Sequence, residues 1–484
     1  MEVHIMNKKV LSLGVMLSLA TTGAMAADVV TTSVNNGDQL SKYQKEAIQL
    51  TQKQLAEKSV QDSKTYESKL DLDESRTIEL ALANNRTAKQ TKWGYEAAKS
   101  AVSQVAAGKN PSVSYGWSAQ KTGGDTGRGK SSSHNFSISA PVFNPQLDAS
   151  IDSARYTREG TGASYEEALQ QAKYDAISGY YTLIMNRNLV DVAQQAVKDY
   201  QGHVTNVQAQ YNVGLVASSD VLAAKTNLVK AQNSANLAEA SLNQVIAYPV
   251  QTAINTAEHD LQYKPYNVTL EQAKAYALLH RSALVKSALD VKSAEEAVKS
   301  AKSGYLPTVA VKAGRGYADP DGYFGTSTKS WSVGATASWS LWDGGATQNA
   351  IKKANAQLEQ AKEANLATVD AVLLAVQKAY LNLRSAEQTI QSTQTAVAQG
   401  QESFRIATLR YRAGVGTNLD VLDAETKLTD ARNNYVQALY NYNISIAALE
   451  QLTGVPLNTP VGQGAEIIAN SGAAEQLAQL GGNQ

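Results

Sequence analysis

Residues able to do chemistry are sparse in this chain of 484 residues. It has no cysteine, which removes disulfides, thiolate metal sites and cysteine nucleophiles together. The histidines His4, His134, His203, His259 and His280 are scattered and lack metal-ligand spacing. Asp319-Pro320-Asp321-Gly322 starts like a calcium loop, but Ser330 stands where the bidentate acid belongs, so a surface loop is expected there. No Gly-x-Ser-x-Gly elbow, P-loop or dinucleotide fingerprint occurs. Neither an enzyme nor a cofactor is expected. The carboxylates with informative spacing are Asp220, Asp420 and Asp423, because their segment occurs twice.

Tyr211-Asn-Val-Gly214-Leu-Val-Ala-Ser-Ser-Asp220-Val-Leu222-Ala-Ala224 continues to Ala231, and Tyr411-Arg-Ala-Gly414-Val-Gly-Thr-Asn-Leu-Asp420-Val-Leu422-Asp-Ala424 continues to Ala431. Nine of the 21 paired positions are identical, without a gap. Gly214 and Gly414 read as the ends of helices, and Asp220 and Asp420 as the caps of the helices that follow. Asp423 differs, because its partner is Ala223. Folding of the turn therefore does not demand a carboxylate at that position.

The elements that carry these turns repeat as well. A helical pattern from near Leu72 to Ala107 stops at Asn110-Pro111, and another from Leu270 to Ala301 stops at Pro307. Two alternating segments follow each, at about 111–120 and 133–143, then at about 307–317 and 329–341. Val113, Tyr115 and Trp117 share one face of the first, with Ser112, Ser114, Gly116 and Ser118 opposite. Long helices come next, at about 146–213 and 344–413. Near 68 residues each, they would be rods of about 100 Å, some three times the roughly 30 Å apolar thickness of a bilayer. In the second rod Leu366, Val369, Leu373, Val376, Tyr380 and Leu383 are spaced as a coiled-coil seam. The chain thus divides into a first repeat at 70–262 and a second at 263–457. Residues 27–69 form a polar extension with one helix at 41–58, and residues 458–484 a flexible tail rich in Gly, Ala, Gln and Asn.

Residues 1–26 read as a secretory signal: Lys8 and Lys9, an apolar run from Val10 to Ala20, then Ala24-Met25-Ala26. The start can be Met1 or Met6. Without cysteine, no lipid anchor is expected at the cleavage point. Lys+Arg and Asp+Glu balance at 44 each, which argues against nucleic acid as a partner. No uncharged apolar run of 18 residues follows the signal, so any span of a membrane must be made of strands. A Ser/Gly face opposite an aromatic face suits a wall with water inside and lipid outside. It also suits a soluble sheet with one solvated face. Four strands do not close a barrel alone, so the wall reading requires several chains.

In its two turn motifs, in Leu341-Trp-Asp-Gly-Gly345 at a strand-to-helix junction and in Tyr305-Leu-Pro307 before a strand, the chain resembles the TolC family of outer-membrane efflux and secretion channels across about residues 70–457. The resemblance implies a mainly α fold with a small β part: a duplicated α-helical barrel whose four strands per chain contribute to a trimeric, 12-stranded outer-membrane β-barrel. It implies a homotrimer in outer-membrane lipid with a long periplasmic portion. It further implies a passive channel joined through a periplasmic adaptor protein to an inner-membrane transporter of the RND, ABC or MFS type. Cargo in the family spans drugs, toxic small molecules and secreted proteins. Asp420 and Asp423 match its lumenal acidic ring at the periplasmic aperture, and Tyr411 and Asp220 match positions tied to tip closure. Capping for Asp420 and a solvated helix face for Asp423 remain open beside those roles. Gly416 stands where the best-known member has a basic residue linking neighbouring helices. The rival reading is a periplasmic coiled-coil scaffold or adaptor without a pore.

Overall fold

The computed structural model describes residues 42–65, 69–124, 127–210, 235–319 and 328–473, together with residues 229, 233 and 475. The signal, the whole first turn with Tyr211, Gly214 and Asp220, and the loop beyond Asp319 lie outside the described residues. The chain divides at Glu67 and Ser68 into two units. In the first, the described residues form one helix, α1 (Lys42–Thr65), longer at its C-terminal end than the 41–58 read from the sequence.

The second unit holds the repeat. After β1 (Lys69–Leu72) come α2 (Glu74–Asn84) and α3 (Arg86–Ala106), then the strands β2 (Ser112–Gly124) and β3 (Gly127–Phe143) and the long helix α4 (Pro145–Gln210). Residues 235–245 are helical, here α5, and lead to β4 (Ala253–Thr256). The second copy runs α6 (Leu270–His280), α7 (Ser282–Lys302), β5 (Thr308–Asp319), β6 (Thr328–Ser338), α8 (Ala346–Arg412) and α9 (Asn418–Thr453). A short α10 (Gly464–Asn470) closes the described chain.

Each leading helical pattern, continuous in the sequence, is broken once in the structure. Segments of 11 and 21 residues result in both copies. At the first break Asn85 leaves the helical region and its side chain caps α3 by accepting from the amide of Ala88. At the second, Arg281 is extended, and its buried guanidinium donates to the Gln451 carbonyl and to Glu167 at 2.5 Å. Periodicity does not register a one-residue break whose cause lies on another helix.

The core gathers midway along the long helices, where α4, α8 and α9 meet α2, α6 and the parallel pair β1–β4. Tyr180, Leu183, Leu383, Tyr442 and Leu449 are fully buried there. The buried seam of α8 is Val372, Val376, Ala379, Leu383, Ala386 and Ile390. It shares Val376 and Leu383 with the seam read from the sequence, but Leu366 is exposed and Ala379 takes the place expected for Tyr380. Small residues let helices approach closely, and a reading that favours large apolar residues passes over them. One window of α8 is apolar enough to cross a membrane by composition. Only 22% of that window is buried, so the seam supplies a minor part of its apolar character.

Residues 458–473 correct the expected tail. Thr459, Gly464, Ile468 and Ala473 are buried, Ile468 and Ala473 within the core itself. The carboxylate of Glu450 accepts from the amides of Gly462 and Gly464, each at 3.0 Å, and Lys173 donates to the Thr459 carbonyl at 2.7 Å. The glycines that read as disorder are there because a carboxylate presses on the backbone: a Cβ on Gly464 would stand 2.5 Å from an oxygen of Glu450.

Candidate functional site

Two regions of the second unit carry the features singled out in the sequence: the sheet at one end of the long helices and the turn at the other. In the sheet the order is β2-β3-β5-β6, antiparallel throughout, so β2 and β6 are its edges. Register fixes which residues share a face. One face carries the rows Val113, Ile138, Ala313, Val333, then Tyr115, Phe136, Arg315, Trp331, then Trp117, His134, Tyr317, Lys329. Opposite stand Ser114, Ser137, Gly314, Ser332, then Gly116, Asn135, Gly316, Ser330.

The small face is stitched by hydroxyls. Ser114 pairs with Ser137 at 2.7 Å and Ser118 with Ser133 at 2.8 Å. Glycine is needed at 316, where a Cβ would meet the Ser330 hydroxyl at 2.8 Å and the Asn135 side chain at 3.0 Å. The other face is mainly apolar in the rows nearer the helices and is largely exposed there. Trp331 is 80% exposed, and Val113, Tyr115, Trp117 and Val333 are exposed with it. Below the sheet Trp339 donates its indole N–H to the Tyr305 carbonyl at 3.0 Å, giving that end an aromatic of its own. From Trp331 to Trp339 is about 26 Å along an extended chain, or roughly 20 Å once a strand tilt near 40° is allowed for, close to the apolar band of a transmembrane barrel.

The strand-to-helix junction is built by Asp343. Its carboxylate accepts from the amides of Gly345 at 2.9 Å and Thr347 at 2.7 Å, and Gly344 and Gly345 both take positive φ. A hydrogen bond from the Thr347 side chain first, and then these amide bonds, hold the Asp343 carboxyl below its ordinary pKa.

At the far end of α8 the turn follows from backbone chemistry. Gly414 at φ 75° receives the chain as the helix unwinds, the Gly414 amide donates to the Tyr411 carbonyl at 3.0 Å, and the Val415 amide to the Arg410 carbonyl at 3.0 Å. That is a Schellman ending. Gly416 then passes so close to the helix that a Cβ would stand 3.1 Å from the Tyr411 nitrogen. The position matching the family's basic latch accepts a side chain only if the turn moves.

Asp420 is not the N-cap of α9. Thr417 is: its hydroxyl accepts from the Asp420 amide at 3.1 Å, while the Asp420 carboxylate accepts from the Thr417 amide at 2.9 Å. This reciprocal capping box holds the Asp420 carboxyl below its ordinary pKa, with the Thr417 amide bond as the main cause. Thr-x-x-Asp is a legible signature that a reading fixed on Asp420 alone passes over. Asp423 is 59% exposed and pairs with Lys427 one turn on, at 2.6 Å. Lys427, absent from the sequence reading, is the nearest positive charge to it. Tyr411 is half-buried. Among the described residues no group of acids and histidines could hold a metal ion.

The comparisons agree with this geometry. TolC of Escherichia coli (strain K12) is 25% identical over 314 residues, covering 60% of this chain and 63% of that protein. CyaE of Bordetella pertussis is 31% identical over 196 residues, covering 40% of this chain and 41% of that one. The chain thus spans less than two thirds of the length of these relatives. The crystal structure of the outer membrane protein VceC from Vibrio cholerae superposes with a TM-score of 0.67 at 19% identity, over 79% of this chain and 96% of that one. A family model described as outer membrane efflux protein matches residues 77–247 and 275–455, one stretch in each repeat. The chain therefore belongs to the outer membrane efflux protein family, a family of TolC-like outer-membrane channels.

Proposed function

We propose that this chain is a passive duct that conducts substrates from an inner-membrane transporter, through a periplasmic adaptor, to the cell exterior. One observation carries the reading. A four-stranded sheet with one Ser/Gly face, one aromatic face and two unpaired edges sits on helices of 66 and 67 residues. Three copies joined edge to edge give twelve strands, water inside and lipid outside, and the helices continue the lumen for about 100 Å. The cargo class is small amphiphilic drugs and toxic molecules, with unfolded protein as the second class.

Asp420 and Asp423 form the acidic ring at the periplasmic aperture in this proposal. Asp423 supports it best, being an exposed carboxylate whose repeat partner is Ala223. Six carboxylates from three copies would favour cations there. Single-channel recording of the purified protein in planar bilayers tests both levels. A small cation-selective conductance, less selective in Asp423→Ala, which leaves the Thr417–Asp420 capping box intact, and further altered in Asp420→Ala plus Asp423→Ala, supports the duct and its ring. Conductance unchanged by the substitutions removes the ring alone. Absence of conductance from folded protein that salt extracts from membranes would establish the scaffold instead.

A further inference from the structure

The end of the sheet farthest from the helices is charged in a way that channel formation does not explain. By register Lys121 and Lys130 are direct partners on the aromatic face, and Lys329 and Arg315 share that face with them. All four are exposed. Like charges directly opposite across two strands weaken the pair, and an anion between them removes the penalty. None of the four forms an ion pair with a described residue. The four strands contain one acid, Asp319, which is buried on this same face in the row between the Lys121–Lys130 pair and Lys329, so four cations stand around a single carboxylate. In a chain of formal net charge zero this is a segregation of positive charge.

Its height has chemical meaning. Lys329 lies level with Trp117 and Tyr317, in the aromatic row that marks the edge of an apolar band. Lys121 lies four residues beyond Trp117, about 13 Å along the strand and roughly 10 Å along the membrane normal at a tilt near 40°. The side chain of Arg315 rests over the ring of Tyr317, at 5.3 Å from its centroid, on the way out of the band. In the channel reading the cations therefore stand at the depth of lipid phosphates, on the lipid-facing wall. The opposite face at this height carries Gln120, Ser131, Ser133 and Ser330, all neutral.

We propose that Lys121, Lys130 and Lys329, with Arg315 below them, bind the phosphate groups of phosphorylated lipid in the external leaflet. The proposal rests on the channel reading, since it takes the aromatic face as lipid-facing. Native mass spectrometry of the full-length, detergent-solubilised protein tests it, with bis-phosphorylated lipid A, dephosphorylated lipid A and inorganic phosphate as probes. The wild type should prefer the phosphorylated lipid roughly tenfold or more, as a few lysines near an anionic surface supply. Lys121→Gln, Lys130→Gln and Lys329→Gln together should abolish that preference while leaving single-channel conductance unchanged. Equal binding of the two lipids by the wild type overturns the proposal without any variant. Retention of the preference by the triple variant overturns it too, and so does saturation by inorganic phosphate at the same concentration. Failure of the channel reading would register separately, as loss of conductance in the wild type.

Discussion

Thr417 and Asp420 each hold the other's backbone, so a substitution at either alters the fold of the turn before it alters the charge of an aperture. Thr417→Ala should cost about 1 kcal/mol of local stability. Hydrogen exchange across residues 414–422 would detect it, and unchanged protection there would contradict the capping box. Asp423 carries no such duty. Lys427→Gln removes only its partner, and an exposed pair of this kind contributes at most about 1 kcal/mol. If Asp423 faces the lumen, that variant should raise cation selectivity while Asp423→Ala lowers it. Buried charge behaves differently. Burial pushes the Glu450 carboxyl up to about 7 from an ordinary 4.5, and Lys173, Glu74, Tyr181 and Tyr266 surround it. Folded Glu450 keeps a proton that the unfolded chain releases, so its contribution is favourable in acid and is lost as pH rises from about 4.5 through about 7. Protection of residues 456–473 from exchange should fall across that window, and Glu450→Gln should flatten the slope. The same slope in both proteins would contradict this account.

The elements divide by how local their causes are. Period-two alternation is a property of the strand itself, so the faces of β2, β3, β5 and β6 were legible from serine against tryptophan and valine. The breaks at Asn85 and Arg281 were not, since the second is held by Gln451 and Glu167, distant in sequence. Four residues in each of β1 and β4 are too few to show a period, and their parallel pairing depends on a crossover of about 180 residues. The tail was misread because glycine signals flexibility in isolation and close approach beside Glu450. At the tip, Gly414 was legible as a helix end. The cap was displaced by three residues, because the reciprocal bond of Thr417 requires both partners to be read together. Face assignment is itself testable at this scale. Val333→Lys puts a charge on the lipid side and should cost about 2–4 kcal/mol near mid-depth. Ser332→Lys, one residue away on the hydroxyl face, should be tolerated. Heat resistance of the assembled oligomer in detergent compares the two, and equal losses would reject the orientation of the sheet.

At the scale of the whole molecule, the unpaired edges β2 and β6 decide what the chain can be. An open edge in hydrocarbon leaves a row of backbone groups without partners, each costing several kcal/mol, so a membrane-inserted sheet must close on further copies. The strands are 13 and 11 residues long, enough for a tilted span of about 9–11 residues. In the proposed ring, closure would be heterologous, β2 of one copy against β6 of the next, by a rotation that closes. Absence of native cysteine makes this directly measurable. With Ser114→Cys in β2 and, in separate variants, Ser330→Cys, Ser332→Cys or Gly334→Cys in β6, one register should crosslink under oxidation in membranes. A twelve-stranded wall requires the ladder to end at three chains. A ladder ending at two would break the ring, and crosslinks only within one chain would mean that the sheet folds back on itself, leaving the serine face no lumen to line.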